Sequence, residues 1–241
     1  MSNYPHPMQT TPEPRQLHIP VTEGPVGAIS ALFEDPGPGR KHHALLLAHG
    51  AGAGMDHPFM QGMAHHLVEL GHPVLRFRYP YAEHMAQTGR RRPPDRMPVL
   101  EAAHLAAHLA LRDLLPEAPQ VFVGKSMGGR VGSHLAARGV PCVALAYLGY
   151  PLHPAGKPTK LRDEHFEDLT RPALFLQGTR DKLAELDLLR ASLESYAGEV
   201  TLEIIQRANH GFQVPVKDGR SADDIHAELA AAIDAWLGGL D

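Results

Sequence analysis

One cysteine, Cys142, stands in the 241 residues, and that scarcity removes two chemistries at once. No internal disulfide framework can form, and a lone thiol in an apolar run packs as a small hydrophobe and makes a poor nucleophile. Apolar runs long enough to cross a bilayer are missing as well. The stretch Met1 to Gln16 is polar and proline-rich with no apolar centre, so it reads as a mobile leader and not as a secretory signal. A cytoplasmic protein without a membrane partner is the expectation. Nor is there an excess of charge of one sign: 23 basic and 27 acidic side chains are well mixed and leave a net −4, which argues against nucleic acid as a partner. The one basic cluster, Arg90-Arg91-Arg92, runs into Pro93-Pro94-Asp95 and reads as a solvated loop. Internal repeats are absent, and nothing in the residues selects an oligomeric state.

What is present is a hydrophobic content of 43%, enough for one substantial core, with residues 17–241 forming a single α/β domain. Leu17 to Val21 and Val26 to Phe33 read as a hairpin turned at Glu23-Gly24-Pro25. Ala44 to Ala48 is continuously apolar, as a strand covered on both faces must be. Strands follow at Pro73–Tyr79, Val121–Val123, Val143–Leu148, Ala173–Leu176 and Thr201–Ile205. Apolar residues at helical spacing predict helices from Asp56 and Pro58 to Leu70, from Leu100 to Leu114, after Ser126 through Ala137, from Leu183 to Tyr196 and from Ala222 to Leu237. Pro80 to Met97 reads as irregular and near the mouth of any site. Gly149 to Asp168 reads as a loop with room for one short helix. Alternation of this kind predicts a mostly parallel sheet with helices on both faces and right-handed crossovers.

The pattern Gly124-Lys125-Ser126-Met127-Gly128 lies where a strand turns into a helix. A serine on so tight a turn adopts a strained backbone, and the glycines two residues to either side let the turn close. The helix beginning after it aims the amide of Met127 at any oxyanion formed beside Ser126. A phosphate-binding loop is the competing reading of Gly124-Lys125-Ser126, but Pro119 occupies the first glycine's place and Gln120 to Val123 is a strand. In an open parallel sheet, ligands bind at the carboxyl ends of strands. Two more polar segments emerge there: Gln177-Gly178-Thr179-Arg180-Asp181, and Arg207-Ala208-Asn209-His210-Gly211-Phe212. Ser126, Asp181 and His210 thus come in the order nucleophile, acid, base. His210 is positioned to deprotonate the serine, and Asp181 to fix its tautomer. Alternatively Asp181 caps the next helix, and His210 is one of 17 histidines without a special task. Adjacent His42-His43 and His65-His66 are assigned no role.

His104 and His108, four apart on a helix, lack the glutamate and the third ligand of a zinc site and read as a packed or solvated pair. No group has metal-ligand spacing, so neither metal nor cofactor is expected and activity should survive chelation. His49, Asp56, His57 and His210 are the fallback ligand set if it does not.

These motifs, together with His49-Gly50-Ala51-Gly52-Ala53-Gly54, Arg78-Tyr79-Pro80-Tyr81 and Leu148-Gly149-Tyr150-Pro151-Leu152, resemble serine hydrolases of the α/β-hydrolase fold. They are most similar to the small dienelactone-hydrolase-like family that includes bacterial proteins and a testis-expressed animal relative. The resemblance implies an eight-stranded sheet with its second strand antiparallel and little or no cap domain. It further implies an oxyanion hole made by the amides of Ala51 and Met127. Dienelactone hydrolases proper use a cysteine where this chain has Ser126, so their substrate does not carry over. The expectation is a cofactor-independent serine esterase acting on a small ester or thioester. A non-catalytic scaffold of the same fold, used for protein interaction, is the alternative.

Overall fold

In the computed structural model, which describes residues 13–240, eight strands pair into one sheet in the order β1-β2-β4-β3-β5-β6-β7-β8. The strands are β1 (Arg15–Pro20), β2 (Ala28–Glu34), β3 (Ala44–Ala48), β4 (Val74–Phe77), β5 (Gln120–Lys125), β6 (Ala144–Leu148), β7 (Ala173–Gly178) and β8 (Val200–Ile205). Only β2 runs against its neighbours, and every pairing from β4 through β8 is parallel. The expected fold class is thus the one observed. Arg15 and Gln16, assigned from sequence to the leader, belong to β1 and pair with Phe33 and Leu32. Of the rest of that leader, residues 1–12 lie outside the described residues.

Among the described residues six helices cover the sheet: α1 (Pro58–Glu69), α2 (Pro80–Thr88), α3 (Met97–Leu114), α4 (Met127–Ala137), α5 (Leu186–Leu193) and α6 (Ala222–Leu237). Successive side chains of a strand point to opposite faces, and β3 divides accordingly. Leu45 and Leu47 join a core built with α1 and α6, while Leu46 joins one built with α3, α4 and α5. All five residues of β3 are fully buried, which is why no polar position interrupts that strand.

The structure corrects two element assignments. Pro80–Thr88 is a helix, begun by Pro80 at its first turn and ended by Gly89 in the left-handed region at φ 69°. Those are ordinary start and stop signals, hidden in the sequence by the Arg- and Pro-rich segment that follows. The fifth helix is shorter than Leu183–Tyr196, because Asp181 to Glu185 is used in a turn that serves the site. Between β6 and β7 only a 3₁₀ turn at Phe166–Asp168 forms. That loop folds back on itself through Tyr150 Oη donating to the Arg162 carbonyl at 2.6 Å, so no cap domain is built there.

Candidate active site

Parallel β3, β5, β6, β7 and β8 end on one edge of the sheet and deliver His49, Ser126, Gly149, Asp181 and His210 there. Ser126 sits between β5 and α4 with φ 51° and ψ −113°, a conformation that L-residues adopt only when their surroundings force it. The forcing is visible at the glycines. A Cβ on Gly124 would lie 2.1 Å from the Gly129 nitrogen, and one on Gly128 would lie 2.5 Å from the Ala48 carbonyl oxygen. Strand, turn and helix pack backbone to backbone at this point.

His210 Nδ1 lies 2.7 Å from Asp181 Oδ2, and His210 Nε2 lies 2.8 Å from Ser126 Oγ. A carboxylate only accepts, so Nδ1 carries the proton and Nε2 is left to accept from the serine hydroxyl. The three residues therefore form one hydrogen-bonded chain, in the polarity needed for proton removal from Ser126. The Asp181 side chain is wholly buried and that of His210 is 25% exposed, which places the anion under the imidazole and the imidazole at the solvent boundary. Asp181 also accepts from the Leu183 amide at 2.7 Å, so the capping role weighed for it and its contact with His210 coexist on different oxygens.

Sequence reasoning passed over two residues that set this geometry. Gln177 is fully buried; its Oε1 accepts from the Tyr150 amide at 3.0 Å and its Nε2 donates to Asp181 Oδ2 at 2.6 Å. Its placement one residue before the end of β7 was the available signal. Lys125, the residue before the serine, donates from Nζ to the His210 carbonyl at 2.7 Å and stands 5.4 Å from the Phe212 ring centroid and 5.9 Å from that of Phe59. Burial pulls its pKa down to about 8, with nearby Asp181 opposing the shift.

The His49–Gly54 turn packs against the serine: a Cβ on Gly50 would stand 3.5 Å from Ser126 Cβ. His49 Nε2 accepts from the Tyr79 amide at 3.0 Å, so its Nδ1 carries the proton and donates to the Gly50 carbonyl at 2.8 Å. Burial holds this histidine neutral, with a pKa lowered to about 4. Tyr81 Oη is 3.1 Å from the carbonyl oxygens of both Gly50 and Ala51. The Gly50 and Ala51 carbonyls are thus engaged by His49 and Tyr81. Met127 is the first residue of α4, and its amide is one of those with no acceptor inside the helix. A cavity of about 410 Å³ opens at Ser126 and His210, with Phe59, Met60 and Leu183 among its apolar walls.

The fallback metal set does not assemble, because its members are engaged elsewhere. His49 is occupied as described, His57 Nδ1 accepts from the Phe59 amide at the start of α1, and Asp56 pairs with Arg78. His104 and His108 are packed: His104 Nδ1 is 3.0 Å from Tyr79 Oη and His108 Nδ1 2.7 Å from Gln120 Oε1. Among the described residues, two other groups have metal-ligating side chains within reach of one another. They are His65, His66 and Glu69 on α1, and His134, Glu164 and His165. Neither includes a member of the Ser126 chain.

Among the described residues no helix is long and apolar enough to cross a membrane. A model of the family described as the alpha/beta hydrolase domain matches residues 41–238. Among solved structures, a dienelactone hydrolase from Anabaena variabilis is similar at a TM-score of 0.71 and 21% identity, over 94% of this chain and 98% of that one. An α/β serine hydrolase without a lid from Xanthomonas campestris gives 0.68 and 22%, over 97% and 98%. The esterase Pf2001 of Pyrococcus furiosus gives 0.70 and 16%, over 94% and 90%. With strands and helices from β3 to α6 inside the matched span, the chain belongs to the alpha/beta hydrolase domain family.

Proposed function

We propose that this protein is a serine hydrolase that cleaves a carboxylic ester or thioester of a small molecule through an acyl-Ser126 intermediate. The observation that carries the reading is the unbroken Ser126–His210–Asp181 hydrogen-bond chain, at 2.8 and 2.7 Å, on a serine held in a strained turn. In this scheme Ser126 Oγ attacks the carbonyl carbon as its proton passes to His210 Nε2. Asp181 stabilises the resulting imidazolium through Nδ1, and the amides of Ala51 and Met127 receive the oxyanion. The leaving alcohol or thiol takes the proton from His210 as the carbon–oxygen or carbon–sulfur bond breaks. Water then attacks the acyl carbon, giving its proton to His210, and the carboxylic acid departs as Ser126 recovers its own. No step needs a metal or a cofactor.

A fluorophosphonate probe and a panel of 4-nitrophenyl acyl esters test the scheme. The wild-type chain is expected to be labelled and to turn esters over, while Ser126→Ala loses both with its melting temperature nearly unchanged, since the hydroxyl lies at the cavity. Undiminished turnover in Ser126→Ala would remove the serine from the mechanism. A wild-type chain that neither labels nor hydrolyses would return the scaffold reading.

A further inference from the structure

The hydrolytic scheme leaves the arginine run Arg90–Arg92 unused, and α2 brings part of it to the site. Tyr81 anchors the start of that helix to the Gly50 and Ala51 carbonyls, and Gly89 ends it. Arg91 and Arg92 then line a second cavity, of about 670 Å³, together with Arg78. This cavity and the Ser126 pocket share Ala51, Gly52, Ala53 and His57 as walls, so the two adjoin along the turn that faces the serine.

Their linings differ in kind. Phe59, Met60 and Leu183 give the Ser126 pocket an apolar character. Three arginines, Arg78, Arg91 and Arg92, line the second cavity with one acidic residue, Asp56, beside Tyr81, Ala82, Met85 and Ala86. Arg78 is spent on its neighbours: Nε and Nη2 bind Asp56 Oδ2 at 3.0 and 2.6 Å, and Nη1 reaches Glu83 Oε2 at 3.5 Å. It is matched by Asp56 and Glu83 and adds no net positive charge to the cavity. Arg92 gives only Nη2 to Asp95, at 3.1 Å. Arg91 has no ion pair among the described residues. A guanidinium presents paired N–H donors in a plane that matches a carboxylate, and two such groups beside a reacting carbonyl make a receptor for an acid at the far end of a substrate.

We propose that the second cavity is an anion subsite of the Ser126 site, with Arg91 and Arg92 as receptor, and that the substrates are esters bearing a free carboxylate. This rests on the hydrolytic reading of Ser126. The experiment compares kcat/KM for 4-nitrophenyl butyrate, which is neutral, with that for 4-nitrophenyl hemiglutarate, which carries a terminal carboxylate. It uses the full chain, Arg91→Gln/Arg92→Gln, and Arg112→Gln as a control on the exposed side of α3. The ratio of the two values is expected to favour the anionic ester by about tenfold or more in the wild type and the control. It should fall to near one in the double variant and, in the wild type, as salt is raised. An unchanged ratio in the double variant, or a wild-type preference for the neutral ester, overturns the subsite while leaving the hydrolase standing. If neither ester turns over and the fluorophosphonate does not label, it is the hydrolytic reading that has failed. Calorimetric titration of Ser126→Ala with monomethyl glutarate then decides the subsite alone: heat that disappears in the triple variant with Arg91→Gln and Arg92→Gln supports it, and no binding ends it.

Discussion

Asp181 gives one oxygen to the Leu183 amide and shares the other between Gln177 and His210, so its orientation does not depend on the histidine. Asp181→Asn should therefore leave the fold in place and lower turnover by roughly 10⁴-fold, because an amide no longer enforces the Nδ1–H tautomer. Steady-state ester kinetics check this, and a loss below about tenfold would assign the orienting role to another group. Lys125 ties the histidine's loop from the other side, and its buried ammonium leaves a signature in stability. The unfolded chain holds that proton to about 10.5 and the folded one only to about 8, so between these values the unfolded state binds more protons and stability rises with pH. Lys125→Met should remove that rise, which denaturant midpoints compared with wild type between pH 7 and 10.5 would read directly. It should also lower kcat more than it raises KM, since what it loosens is the base and not the substrate pocket.

At the scale of elements, the strand-to-helix turn at Ser126 is held by backbone contacts that no side-chain rotation can relieve. Gly128→Ala would drive a methyl group into the Ala48 and His49 carbonyls at 2.5 and 2.7 Å, prising α4 from β3. A loss of about 3 kcal/mol or outright failure to fold is expected, against near-neutrality for Gly27→Ala, where no atom lies within 4 Å of the added carbon. Urea titration of both variants checks it. The same turn was readable in the sequence because its requirement is local: glycine at fixed offsets around one strained residue. Helix α2 was not read, although Pro80, Glu83 and Gly89 marked it, because the proline- and arginine-rich residues after it suggested a loop throughout. Strand β8 and helix α6 followed from apolar periodicity alone, and α6 begins with Ser221 and Asp224 exchanging reciprocal hydrogen bonds.

Across the whole molecule, buried histidines make stability depend on acid. Burial lowers His49 to about 4 and His104 to about 3; His134 and His165 fall to about 4, with burial the main cause and the Arg130 and Arg138 charges adding to it. All four titrate near 6.5 when unfolded, so the unfolded chain gains their protons first as pH falls. Their contribution is complete above 6.5, is lost on the way down to about 4 and 3, and levels off below. Denaturant midpoints should drop steeply over that window, and His104→Phe should show a shallower drop than wild type. Sequence alone determined the alternation of strands and helices, the turn at Ser126, and the arrival of Ser126, Asp181 and His210 at strand ends in that order. These follow from short-range sterics and from the period of apolar residues, which any stretch of chain carries by itself. Only the tertiary structure decided that Lys125 holds a carbonyl 85 residues away and that Gln177 links Asp181 to an amide 27 residues back. It also decided that Arg91 and Arg92, both exposed, line a cavity that adjoins the serine's pocket. Such contacts depend on where packed elements bring distant side chains, and a few ångströms of displacement would undo them without altering any local pattern.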